Sequence, residues 1–185
     1  MKILIVGLGV QGKKRKKILN KRFYFASVDK KNKDADFSKI EDVPLNKYDS
    51  VFICTPDSAK IKILNFCLKN NKNALIEKPL ISKNKKKILK LEKDANKKKL
   101  VFYTAYNHRF EPHFINIKKI LETKILGKIY YCHLFYGNGT ARLVRKNKWR
   151  DKGLGVIQDL GPHLMDTILF WFKKQLKFKK VFKNK

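Results

Sequence analysis

The chain has 185 residues, 43% of them hydrophobic, enough to build the core of one large or two small domains and too many for a disordered chain. Its formal net charge is +30, yet only six of the 45 basic residues are arginine, and lysine is spread over nearly every predicted helix. With Asn, Ile and Phe also abundant, this is what A/T-rich coding produces; it argues against specific nucleic-acid recognition and leaves weak, salt-sensitive attraction to polyanions.

Ile3–Val6 reads as a first strand buried on both faces. It runs into Gly7, Gly9 and Gly12 at G-x-G-x-x-G spacing, with Leu8, Val10 and Gln11 between them. Gly7 permits a tight turn, Gly9 lets backbone approach a pyrophosphate, and Gly12 lets the next helix pack close to the strand. Residues 11–21 read as that helix, with Ile18 and Leu19 as core contacts. Phe23–Val28 is a second strand, ending at Asp29, where an acid is the expected partner for an adenosine ribose. The order strand, glycines, helix, strand, acid points to a dinucleotide. Asp29 favours NAD, because a carboxylate repels a 2′-phosphate, while Lys30 and Lys31 keep NADP open.

Residues 30–47 read as a loop with a short element near Ile40. Val51–Cys54 is a strand closed by Thr55-Pro56, and Ile61–Leu68 a helix with Ile61, Leu64 and Leu68 on one side. Ala74–Ile76 is a strand leading into Glu77-Lys78-Pro79. Residues 83–97 form a lysine-rich helix with Ile88, Leu89 and Leu91 as its apolar stripe, and Leu100–Tyr103 a strand leading to Tyr106–Phe110. Strands alternating with helices imply an α/β fold, a parallel sheet covered by helices. Ligands of such sheets bind beyond the carboxyl ends of the strands, where these motifs fall. Lys78, flanked by an acid and a proline, reads either as a positioned cation suited to a developing alkoxide or, in a chain with 39 lysines, as a solvated charge beside a turn proline.

The pattern then changes. Pro112–Glu122 reads as a helix broken at Gly127, Ile129–Gly137 as a long aromatic strand, 138–155 as a loop, Val156–Phe172 as a helix and Phe178–Phe182 as a last strand. Asp159 and His163, four apart, share a helix face, and Asp166 lies near it. Histidine beside a carboxylate suits general-base chemistry. Pro162 disfavours a straight helix through Gln158–Leu160. The three cysteines, 54, 67 and 132, form no C-x-x-C or Cys/His cluster, so neither disulfide nor metal site is expected, and a reducing cytoplasm fits. No apolar stretch approaches the roughly 20 residues of a membrane span.

Gly7–Gly12, Glu77-Lys78-Pro79, Tyr106–Phe110, Trp149-Arg150 and Gly155–Asp166, in that order, resemble the glucose–fructose oxidoreductase/inositol dehydrogenase family (Gfo/Idh/MocA) over essentially the whole chain. The resemblance implies a Rossmann dinucleotide-binding domain, placed at 1–110, and a substrate α/β domain with a large open sheet, begun at 111–185. It implies NAD or NADP, and hydride transfer at a sugar, polyol or sugar-derivative carbon. Cofactor contacts would come from Gly7, Gly9, Val10, Gln11, Gly12, Asp29, Thr55, Pro56, Glu77 and Lys78. Lys78, Asp159 and His163 would be catalytic, the histidine as proton acceptor. Arg109, Trp149 and Arg150 would join Asp159 and His163 on the substrate side. Family members continue well beyond the Asp159/His163 helix, so a shortened substrate domain is expected here. That leaves a second reading, a non-catalytic dinucleotide-binding or interaction module, and makes a homo-oligomer the expectation where the sheet is completed.

Overall fold

In the computed structural model, strand β1 (Ile3–Val6) is buried at all four residues, as a central strand covered on both faces must be. The structure describes residues 1–82, 84–137 and 156–173, and the chain divides into two units, Met1–Ala105 and Tyr106–Lys185.

The first unit is a five-stranded parallel sheet in the order β2-β1-β3-β4-β5. Its other strands are β2 (Tyr24–Val28), β3 (Ser50–Ile53), β4 (Asn73–Ile76) and β5 (Phe102–Thr104). The chain crosses between them through helices α1 (Val10–Ile18), α2 (Asp57–Lys69) and α3 (Lys85–Lys97). Between β2 and β3 it makes two 3-10 turns, Ile40–Asp42 and Leu45–Lys47. Leu4, Val6, Val51, Ile53, Ala74 and Ile76 of the strands pack with Ile63, Leu64 and Cys67 of α2 and Leu91 of α3. Strand order reverses between β1 and β3, so a crevice opens beyond their carboxyl ends.

Three expectations about this unit are corrected. Ile18 is not a core contact: it is 75% exposed, and the buried residue of α1 is Gly12. The glycine brings the helix backbone itself against the sheet, leaving little for side chains to fill. Leu89 is half exposed, and the buried positions of α3 are Leu91 and Ala95, with Ile88 partly covered. Positions 88, 91 and 95 follow the helical repeat better than 88, 89 and 91. Helix α2 begins four residues earlier than its apolar spacing indicates, at Asp57, whose carboxylate suits a helix N-terminus.

The second unit contains a 3-10 turn (Asn107–Phe110) and helices α4 (Pro112–Glu122) and α5 (Val156–Phe172). Pro112 stands at the start of α4, where its missing N–H costs nothing. Helix α5 spans the expected Val156–Phe172 and runs through Pro162, whose ring removes one hydrogen bond without ending the helix. The two helices are tied by the Trp171 indole, which donates to the Phe114 carbonyl at 3.0 Å while the rings stack at 5.4 Å. The aromatic strand expected over Ile129–Gly137 is absent: residues 127–137 are irregular, with Tyr130, Tyr131 and Phe135 exposed. A strand needs a paired neighbour, and among the described residues none lies beside this segment. The predicted loop over 138–155 and the strand at Phe178–Phe182 lie outside the described residues.

Candidate functional site: a glycine cradle and a histidine cluster

The first unit carries a cradle where β1 meets α1. Gly7 has φ of +97°, and a Cβ there would come 2.7 Å from the Cys54 carbonyl oxygen at the end of β3. A Cβ on Gly12 would overlap the Gly7 carbonyl. Both glycines are therefore demanded by the backbone packing of the turn. Gly9 differs: a Cβ there would meet nothing within 4 Å. It faces open space at the N-terminus of α1, whose first turn holds no acidic residue and whose start has no side-chain cap. The N–H groups of that end, left to an anion, make the cradle fit a phosphate. Val10 and Gln11 form the same exposed first turn.

Asp29 organises the rim. Its Oδ2 accepts from the Leu8 N–H at 2.7 Å, and its Oδ1 from the Lys31 and Asn32 N–H groups at 2.9 and 3.0 Å. Burial pushes this carboxyl up, but the Lys31, Leu8 and Asn32 N–H groups outweigh it and hold it below the usual carboxylate range. An ionised carboxylate has about four acceptor positions, so one remains for a ribose hydroxyl. Asn32 adds a bond from its Nδ2 to the Leu8 carbonyl, 3.2 Å. Beyond β3, the Thr55 hydroxyl is buried and has no partner among the described residues, a donor and acceptor left for a ligand. An open Gly9, an uncapped helix end, an acid at the rim and an orphaned hydroxyl together fit a dinucleotide. Pro56 begins the turn into α2. Cys54 takes no part as a nucleophile: burial, reinforced by the Glu77 carboxylate, pushes its thiol up to about 12.

Glu77-Lys78-Pro79 follows β4 and is held by side chains that spacing alone does not indicate. Glu77 accepts from Arg15 of α1, Nε at 2.9 Å and Nη2 at 2.7 Å. Lys60 of α2, only 2% exposed, bonds Asp57 Oδ1 and the Pro79 carbonyl, each at 2.7 Å. The Glu77 N–H donates to the Ile53 carbonyl. Lys78 is thus a half-buried cation on a segment anchored from α1, α2 and β3. The signal for Arg15 was its type, one of six arginines in a lysine-rich chain. For Lys60 it was its place three residues after Asp57, at the spacing of a helical ion pair.

In the second unit His163 is buried in α5, one turn beyond Asp159. Three rings surround it: Tyr106 edge-on at 6.2 Å, His108 edge-on at 4.9 Å and Tyr136 stacked at 5.9 Å. Burial, then the Glu111 and Asp159 carboxylates, raise the Tyr136 phenol; burial, then Asp166, raise that of Tyr106. Both phenols stay protonated and able to donate at neutral pH. Arg109 grips Asp166 with Nε at 2.8 and 3.0 Å and Nη2 at 2.7 Å. A planar bidentate pair of this kind fixes the 3-10 turn on α5. Trp149 and Arg150 lie outside the described residues. His108, Glu111 and Tyr136 were missed in the sequence; His108 stood inside the quoted Tyr106–Phe110 motif, but its ring neighbours are remote in the chain.

An uncharacterized oxidoreductase of Schizosaccharomyces pombe is 30% identical over 129 residues, 66% of this chain and 33% of its own. The scyllo-inositol 2-dehydrogenase (NADP(+)) of Bacillus subtilis is 25% identical over 125 residues, 66% of this chain and 34% of its own. The chain thus spans about a third of these relatives. In fold it is similar to the myo-inositol 2-dehydrogenase of Lactobacillus plantarum, TM-score 0.75 at 18% identity, covering 92% of this chain and 56% of that one. The NAD-binding protein of Listeria innocua matches with a TM-score of 0.64 at 20% identity, over 92% of this chain and 54% of that one. Residues 2–106, the span of sheet and cradle, match the model of the Gfo/Idh/MocA oxidoreductases, described by their NAD-binding Rossmann fold, and the chain belongs to that family.

Proposed function

We propose that this chain is the nucleotide-binding and proton-transferring part of a dehydrogenase that moves a hydride between a nicotinamide cofactor and a sugar, polyol or sugar-derivative hydroxyl. The observation that carries the reading is the cradle: a Gly9 open to a ligand beside two glycines that packing requires. NAD or NADP, when bound, supplies the hydride acceptor or donor. The N-terminal N–H groups of α1 bind the pyrophosphate. Asp29 orients the ribose and favours NAD. Lys78, held by Glu77 and the Lys60-anchored Pro79, stabilises negative charge on the substrate oxygen. His163 removes the hydroxyl proton during oxidation, and Asp159 orients it or holds a substrate hydroxyl. That Lys78 and His163 serve one substrate belongs to the proposal. So do the substrate-side roles of Arg109, Trp149 and Arg150, a small-molecule partner, assembly as a homo-oligomer and a cytoplasmic setting. Inositol substrates, printed in the names of relatives, head the candidates.

The test is a panel of inositols, aldoses and polyols offered with NAD and with NADP, followed by absorbance of the reduced nicotinamide. Turnover with at least one of them is expected, lowered by about 10²–10⁴-fold in H163A. Cofactor binding with no turnover across the panel would favour the second reading, a non-catalytic binding module. An unchanged rate in H163A would remove His163 from the chemistry. Tenfold tighter NADPH than NADH would reverse the NAD preference drawn from Asp29.

A further inference from the structure

His108 is the titratable group of the second unit that the proposed chemistry does not use. Its Nδ1 lies 2.8 Å from Glu111 Oε1, which also accepts from Asn107 Nδ2 at 2.8 Å. An ionised carboxylate only accepts, so Nδ1 carries the proton and the neutral ring presents a bare Nε2. That Nε2 is buried, and among the described residues it has no partner. The ring lies flat on Phe114, 4.6 Å away and within 9° of parallel, which fixes its plane. Its edge meets the His163 ring at 4.9 Å and Tyr136 at 5.5 Å. Glu111 is half exposed and also faces His113 Nε2 at 3.3 Å. Two imidazoles at this distance, both sheltered from water, repel strongly when both are charged.

We propose that His108, braced by Glu111, is a positioning residue that governs the proton occupancy of His163. Its effect on turnover rests on the reading of His163 as the proton acceptor; the coupling itself does not. A neutral His163 is ready to accept a proton. When His163 takes one, the adjacent His108 is held neutral, its Nδ1–H still directed at Glu111. When His108 carries the charge, His163 is kept neutral and able to accept a proton. Among the described residues the other charged and titratable groups of the cluster are Tyr106 and Arg109 on the turn, His113 on α4, Tyr136, and Asp159 and Asp166 on α5. Arg109 and Asp166 neutralise each other, and both tyrosines are shifted away from neutral pH.

The test is a side-chain ¹⁵N NMR titration of the imidazoles in the full chain, with no cofactor or substrate, so that a failure of the dehydrogenase reading leaves it intact. In the unmodified chain His108 and His163 are expected to titrate as a coupled pair, with curves broader than one-proton curves. H108Q, which keeps a donor for Glu111, is expected to raise the His163 midpoint by about half a pH unit or more, through removal of a like charge. H133Q, a change at an exposed residue of the irregular segment, leaves both where they were. A merely structural His108 would move none of these midpoints. The proposal is overturned if His163 titrates identically in folded H108Q, or, should H108Q fail to fold, if both rings follow independent one-proton curves in the unmodified chain.

Discussion

At the residue scale the three glycines of one motif have separable duties. Gly7 and Gly12 are fixed by packing, the first by its positive φ and the Cys54 carbonyl, the second by the Gly7 carbonyl. Gly9 answers to nothing inside the protein. G12A is therefore expected to destabilise the fold by about 1–3 kcal/mol, the usual cost of overpacking, in a urea titration that compares midpoints at equal slope. The spacing of the motif was legible in the sequence, but not this division, because it depends on where the end of β3 lies. The same holds for Lys60 and Arg15. Each secures the Glu77–Pro79 segment across a gap of tens of residues, and a chain so rich in lysine hides a buried lysine among many solvated ones.

At the element scale the five strands, the three crossing helices and α5 follow from apolar runs and turn residues, because a parallel sheet buries nearly continuous apolar segments. What went unread is what depends on a partner. The Ile129–Gly137 segment has the composition of a strand and no neighbour to pair with among the described residues. The C-terminal ends of α2 to α5 fall within a residue of where the sequence pattern puts them, although the left-handed residues just beyond them are Asn71, Lys99, Lys124 and Lys173 and not the glycine that would normally announce the stop. Asp29 links two elements, the turn after β1 and the loop after β2, and its role in folding gives a pH signature. Its carboxyl is held below the ordinary 3.8, so its stabilisation is fully present above that pH and is lost as pH falls through the lower folded value. D29N, which turns an acceptor-only group into one with an amide facing N–H donors, is expected to cost about 1–3 kcal/mol at neutral pH. In denaturation curves taken across acidic pH, the gap to the unmodified chain should close below pH 3.8; a gap that persists there would detach the stabilisation from the charge.

On the scale of the whole molecule, the two units carry complementary chemistry. The first offers a cradle, a rim acid and an anchored cation; the second offers a buried histidine ringed by Tyr106, His108 and Tyr136. The family match covers residues 2–106, so the cradle is the part that rests on both geometry and kinship. The basic surface adds a general attraction for anions that salt removes, and binding studies belong at moderate ionic strength for that reason. The most direct measurement is the dissociation constant of NADH for the purified chain and for G9A, by nicotinamide fluorescence, with thermal melting of both. The expected result is saturable binding to the unmodified chain, and at least tenfold weaker binding to a G9A that melts at the same temperature. No binding of NADH or NADPH to the unmodified chain, or equal affinity in G9A, would contradict the assignment of this turn as a dinucleotide cradle.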